Sequence, residues 1–279
     1  MTKLFKIGAV ALAASIGAFT ATKIWTPAPA FAEGEAFNDG QVKSIEKIVR
    51  DYLIAHPEVL LEAQEAYEKK NEAKRTEAQM TRMPEFYKAL DGMKGDLAAF
   101  TVGSGDVTMV EFFDYNCGFC QKTLPEIMKL LDDDKHFKLL FLEFPILSAA
   151  SQDASKVAVA AARQGKYFEY HKLMLSTGHA SKDTALKVAE KIGLDMNKVK
   201  TDMASPETEA LIAKLSELGR KIYVDGTPSF IVGDKTYPGA GTLDQLKQLI
   251  DDTRKDGCKA CVTDAAPATG AGAKDPKKS

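Results

Sequence analysis

Apolar and polar positions along the chain fall into stretches of different period, and each stretch predicts a different element. Between residues 41 and 82 the apolar positions recur at helical spacing. Val42, Ile45, Val49 and Tyr52 stand alternately three and four apart, the spacing of a coiled-coil seam. Pro57 interrupts this helix and suits the first turn of a second one carrying Val59, Leu60, Ala63 and Tyr67. From Glu68 the segment EKKNEAKRTEAQ is polar all round, so this part is expected to be a spacer with no face to bury.

Residues 96–147 read as β-α-β. Val107–Phe113 is short, β-rich and apolar on both faces, as for a central strand, and Phe137–Leu142 is a second strand. The helix between them is expected from Cys117 to about Leu131. Residues 148–220 return to helical periodicity, with Ser151, Asp195 and Ser205-Pro206 as start signals. Pro228–Val232, a Gly233-Asp234 turn and Lys235–Tyr237 predict a hairpin, followed by a helix from Thr242 to about Lys255. The chain beyond, rich in Ala, Pro, Gly and Lys, is expected to be disordered.

Composition adds a class. With 45% hydrophobic and 27% charged residues among 279, and a net charge of −2, the chain is globular and carries no basic field for nucleic acid. The beginning of the chain stands apart. Lys3 and Lys6 precede an apolar run from Ile7 to Ala21, and Ala30-Phe31-Ala32 offers a cleavage site. Residues 1–32 are therefore expected to be a signal peptide, and the mature protein periplasmic. In an oxidising compartment, paired cysteines point to disulfide chemistry.

Four cysteines form two identical spacings, Cys117-Gly-Phe-Cys120 and Cys258-Lys-Ala-Cys261. The first pair falls where a strand gives way to a helix. Unpaired N–H groups and the positive end of the helix dipole there lower a thiol pKa. Cys120, one turn deeper, is placed to attack a mixed disulfide formed at Cys117. Glu111 is an acid within an apolar strand. Buried near a dithiol it would hold a raised pKa and move protons for Cys120; at an edge it would merely face solvent. The second pair could relay electrons, bind a soft metal or close a local disulfide, and the last is expected. His56, His136, His171 and His179 lack ligand spacing, and Tyr167, Phe168, Tyr170 and Leu173 form a stripe expected to pack a helical cap. Asp114 and Asn116 are expected to shape the groove without a catalytic part.

EFFDYNCGFC, QGKYFEYHKLML and DGTPSFIVGD, in that order, resemble the DsbA-like disulfide oxidoreductases, an α/β thioredoxin fold with a helical insertion. The resemblance covers roughly residues 96–257. It implies Cys117 as nucleophile, Cys120 as resolving cysteine and Glu111 as the acid six residues upstream. It also implies a cis bond between Thr227 and Pro228, exposing the Thr227 backbone to pair with an extended substrate. No cofactor beyond the Cys117–Cys120 redox disulfide is implied, and no metal. One departure stands out: the strongly oxidising members carry Pro-His between the cysteines, and this chain has Gly118-Phe119. Phenylalanine offers a thiolate neither charge nor hydrogen bond, so a weaker oxidant is expected. The Gly-aromatic pair resembles the isomerase DsbC, and the helical N-terminus resembles the ScsC-type trimeric isomerases.

The expected organisation is a leader at 1–32, a helical oligomerisation stalk and linker at 33–95, a DsbA-like domain at 96–257 with its insertion at 148–220, and a tail at 258–279. The expected function is an exported thiol–disulfide isomerase or reductase acting on unfolded or misdisulfided secreted proteins. Its expected partners are a membrane redox protein and further copies of the chain, favouring a trimer. The alternatives are a DsbA-like oxidase and, in another class, a periplasmic Cu(I)-binding protein.

Overall fold

A computed structural model describes residues 37–261, so the expected leader and the tail beyond Cys261 lie outside the described residues. The chain divides into two compact units, one up to Gln64 and one from Glu65.

In the first unit, α1 (Asp39–Ala55) opens with a capping box. The Asn38 carboxamide oxygen accepts from the Gln41 amide, and the Gln41 side chain accepts from the Asn38 amide, both at 3.0 Å. The helix ends at His56, ahead of Pro57, and α2 (Glu58–Gly92) begins. The expected seam is present and uncovered. Val42, Ile45, Val49 and Tyr52 are all exposed, and Ile48 and Ile54 are each 67% exposed.

The second unit is built on a five-stranded sheet of order β1-β3-β2-β4-β5. The strands are β1 (Thr101–Gly103), β2 (Val107–Phe113), β3 (Phe137–Glu143), β4 (Ser229–Val232) and β5 (Lys235–Pro238). β2 runs parallel to β3, with Glu111 opposite Phe141, and antiparallel to β4, with Glu111 opposite Phe230. A short α3 (Lys94–Leu97) follows α2, and the crossover between the parallel strands is α4 (Gly118–Asp133). β1 was not expected. It is three residues long and pairs antiparallel with β3, too short to show a period.

Between β3 and β4 lies the insertion, α5 (Ala149–Arg163), α6 (Tyr167–Ser176), α7 (Lys182–Lys191), α8 (Met196–Met203) and α9 (Pro206–Lys221). Asp195 and Ser205 cap α8 and α9 as expected, but Ser148, not Ser151, caps α5, its hydroxyl accepting from the Ser151 amide at 3.1 Å. Gly219 lets α9 approach the sheet: a Cβ there would lie 2.9 Å from the Phe112 ring and 3.0 Å from Phe144. The hairpin turns at Gly233 (φ 58°), and α10 (Leu243–Asp256), capped by Thr242, closes the domain.

Two sequence expectations are corrected. The polar segment 68–79 is buried only at Gln79, but the linker expected to run on to residue 95 is packed, since Gln79, Met83, Phe86 and Leu90 form one buried face. Phe86 meets Phe112 of β2 with ring centres 6.2 Å apart, and the Tyr87 hydroxyl donates to the Gly233 carbonyl at 2.8 Å. The expected domain start at residue 96 leaves this packed face outside the domain, whereas the second compact unit begins near Glu65. The expected disordered tail does not begin at 258 either. Asp234 in the hairpin turn accepts from the Lys259 and Ala260 amides, each at 2.8 Å, and Cys258 and Cys261 are disulfide-bonded.

Candidate active site

β2 delivers the chain through Asp114, Tyr115 and Asn116 to Cys117, the N-cap of α4. The turn is held from inside. One Asp114 carboxylate oxygen accepts from the Asn116 amide at 2.8 Å and the other from the Leu147 amide at 2.9 Å. Asn116 ties this turn to the insertion: its side chain donates to the Ala180 carbonyl at 3.1 Å and accepts from the Ala180 amide at 2.9 Å. Asp114 and Asn116 thus fix the backbone, in keeping with their expected shaping role.

Cys117 and Cys120 are free thiols, and their environments differ. Cys117 is pulled down to about 5, chiefly by hydrogen bonding with the Cys120 thiol, and further by the Thr227 side chain and the Cys120 and Phe119 amides; burial opposes these. Cys120 is fully buried, and burial first, then its bond to Cys117 and the Glu111 charge, push its pKa far above the ordinary thiol value. The arrangement therefore holds a thiolate at Cys117 and a proton at Cys120.

Glu111 sits on the central strand, 1% exposed, so the edge alternative is excluded. Neither carboxyl oxygen has a hydrogen-bond partner among the described residues. Burial, then the Cys117 charge, raise its pKa to about 8. The Thr227–Pro228 bond is cis, and the Thr227 carbonyl lies 3.0 Å from the Cys117 sulfur. All five expected site residues thus lie on or beside one end of β2. Phe119 is 62% exposed beside them, and Ile146 and Leu147 are exposed on the loop that Asp114 anchors.

The structure adds a polar cluster that the sequence reading missed. Glu143, the last residue of β3, is fully buried and accepts from Ser155 at 2.6 Å, Tyr167 at 3.1 Å and Tyr115 at 3.2 Å. Burial raises its pKa to about 8 against those three donors. His171 packs beside it with Nδ1 3.5 Å from the Tyr115 hydroxyl, and burial lowers its pKa to about 3, so it is neutral. The expected cap stripe does pack, with Tyr167 and Tyr170 buried, but the Tyr167 hydroxyl is committed to Glu143. An acid ending an apolar strand was the available signal, and the strand was expected to stop one residue short of it.

The sequence matches the DSBA-like thioredoxin domain over residues 108–251 and the copper resistance protein ScsC N-terminal domain over residues 41–74. A thioredoxin-like oxidoreductase structure from Silicibacter pomeroyi is 39% identical, with a TM-score of 0.54, covering 56% of this chain and 91% of that one. The thiol-disulfide exchange protein α-DsbA2 from Wolbachia pipientis is 29% identical, with a TM-score of 0.53, covering 62% and 97%. A linker-deletion variant of Proteus mirabilis ScsC shares the fold over 80% of this chain and 99% of its own, at 22% identity and a TM-score of 0.55. Among curated proteins, the Na(+)/H(+) antiporter NhaA 3 of Salinispora tropica is 27% identical over 147 residues, 52% of this chain and only 22% of that protein. A probable disulfide bond formation protein D of Bacillus anthracis is 26% identical, covering 52% of this chain and 72% of its own length. The chain belongs to the DSBA-like thioredoxin family, a class of thiol–disulfide oxidoreductases. Among the described residues no helix is long and apolar enough to cross a membrane, and no group of three or more His, Cys, Asp or Glu could hold a metal ion.

Proposed function

We propose that the chain is an exported disulfide isomerase or reductase, acting as an oligomer on secreted proteins with wrong disulfides, and kept reduced by a membrane redox partner. The observation that carries it is the uncovered seam of α1, with Val42, Ile45, Val49 and Tyr52 exposed together. An apolar stripe of this kind is costly in water and is covered by further copies of the same helix. Association, favoured as a trimer, gathers several Cys117 sites around one substrate and raises their effective concentration.

At each site the Cys117 thiolate attacks a substrate disulfide and forms a mixed disulfide, releasing the first substrate sulfur. In isomerisation that substrate thiolate, or another, attacks the mixed disulfide and frees Cys117. In reduction Cys120, once its proton has passed to Glu111, attacks the Cys117 sulfur instead, closing the Cys117–Cys120 disulfide, breaking the bond to substrate and releasing the second substrate sulfur as a thiolate. Exposed Phe119, Ile146 and Leu147 offer apolar contact to an unfolded chain, and the Thr227 backbone offers it strand pairing.

The test uses the full mature chain with Ile45→Asp and Val49→Asp. Light scattering is expected to show a trimer for the parent and a monomer for the variant, with loss of activity on a scrambled-disulfide substrate and gain of oxidase activity. A monomeric parent that only oxidises substrates contradicts the isomerase reading and leaves the oxidase. A second reading, Cu(I) capture, is favoured by the paired thiols and by the copper-resistance designation of the N-terminal match. Competition against a Cu(I) chelator, with a Cys117→Ser variant as control, measures it.

A further inference from the structure

Cys258 and Cys261 are joined by a disulfide that lies outside the site described above. The bond links residues three apart, so it ties no two elements together, and a crosslink stabilises least over so short a loop. What holds this segment down is Asp234, through the Lys259 and Ala260 amides, together with the buried Ala260 side chain. The sulfurs are reachable. Cys261 is exposed, Cys258 is half-buried, and both line a cavity of about 800 Å³ shared with Tyr87, Lys94, Lys138 and Arg254. That is room for a peptide segment bearing a thiol to lie against the bond.

The pair also has a direction. The Cys261 amide donates to the Cys258 sulfur at 3.0 Å, which marks Cys258 as the sulfur prepared to leave when exposed Cys261 is attacked. The Asp234 carboxylate lies 3.6 Å from the same sulfur, a like charge for any thiolate formed there. Cys117, by contrast, is a stabilised thiolate. A pair whose reduced form gains no such stabilisation is the better reductant.

Within one chain the pairs cannot meet. Cys117 follows the C-terminal end of β2, whereas Asp234 follows Val232, which pairs with Met109 near the other end. The intervening strand spans about 20 Å at about 3.3 Å per residue.

We propose that Cys258–Cys261 is a second redox pair which, as a dithiol, reduces the Cys117–Cys120 disulfide of another copy of this chain. The Cys261 thiolate attacks the Cys117 sulfur; an S–S bond forms between them, the Cys117–Cys120 bond breaks, and Cys120 leaves and takes up a proton. Cys258 then gives up its proton and attacks the Cys261 sulfur, closing Cys258–Cys261 and releasing Cys117 as a thiolate. Two electrons pass from one pair to the other, and a dithiol protein recharges the donor by the same exchange. The step rests on thiol–disulfide exchange alone and stands whether the chain is an isomerase or an oxidase.

The test mixes two full-length variants. Cys117→Ser/Cys120→Ser is reduced with dithiothreitol and freed of it, then added to oxidised Cys258→Ser/Cys261→Ser. After acid quenching, alkylation and mass spectrometry read each pair. Cys117 and Cys120 are expected to become reduced as Cys258–Cys261 closes, with an end point favouring transfer by on the order of tenfold at neutral pH. In the unsubstituted chain, equilibrated in graded dithiothreitol buffers, Cys258–Cys261 is expected to open only at more reducing ratios than Cys117–Cys120. No transfer within hours, an end point in the reverse direction, or a Cys258–Cys261 bond that excess dithiothreitol fails to open would overturn the proposal.

Discussion

The Cys117 sulfur lies 3.0 Å from the carbonyl oxygen of Thr227, 110 residues further along the chain, so β4's approach completes a site that β2 and α4 begin. The Thr227 side chain also helps hold the Cys117 thiolate. Thr227→Val is expected to raise the Cys117 pKa and make the pair less oxidising, with the fold unchanged. Thiolate absorbance against pH and a glutathione equilibrium measure the two effects, and an unmoved pKa would remove Thr227 from the thiolate's surroundings.

Glu111 is expected to act on the resolving step. Glu111→Gln removes the proton acceptor for Cys120, and mixed-disulfide resolution is expected to slow by about tenfold or more while attack by Cys117 is spared. The parent's rate should also rise with pH through about 8, where Glu111 loses its proton, and the variant should lack that limb. Single-turnover kinetics with a model disulfide separate the two steps.

Stability should respond to pH with two opposite signs. Glu111 and Glu143 hold protons more tightly folded than unfolded, with pKa values near 8 against an ordinary 4.5. Their contribution is complete below 4.5 and is lost as pH rises through 8. Cys117, lowered from 9 to about 5, stabilises the reduced protein above 9 and loses that effect as pH falls through 5. The stability of reduced relative to oxidised protein should therefore grow between pH 5 and 9. Urea melts of both forms across this range check it; Glu111→Gln should remove Glu111's share of the carboxyl part and leave that of Glu143.

Glu143→Ala is expected to destabilise the domain by about 2–4 kcal/mol, because it strands the buried hydroxyls of Ser155, Tyr167 and Tyr115 and leaves a cavity. Glu143→Gln, which keeps an acceptor, should cost less. Equal losses in urea denaturation would mean that the hydrogen bonds contribute little.

Elements with a strong local signal were legible from sequence. β2 was expected at Val107–Phe113 and is found there, because a doubly covered strand must be apolar on both faces. The caps Asp195 and Ser205 were legible because a side-chain oxygen before a helical run has one evident use. The docking of α2 was hidden. Gln79, Met83, Phe86 and Leu90 make a narrow face that starts within a polar segment and includes a glutamine, whose amide oxygen accepts from Thr236 at 2.8 Å. Cys117, Cys120 and Glu111 could be placed because strand and helix signals meet at them. Glu143 could not, since its three partners come from β2's end, α5 and α6, and only the tertiary fold joins them.

The measurement closest to the central claim, a stabilised thiolate at Cys117 beside a proton-holding Cys120, is an absorbance titration of the reduced chain near 240 nm. It is best followed in a variant lacking Cys258 and Cys261. A single low transition is expected near pH 5, abolished by Cys117→Ser, with Cys120 resisting alkylation throughout the neutral range. A first transition near the ordinary thiol value of about 8.5, or equal alkylation of both cysteines at neutral pH, would contradict it.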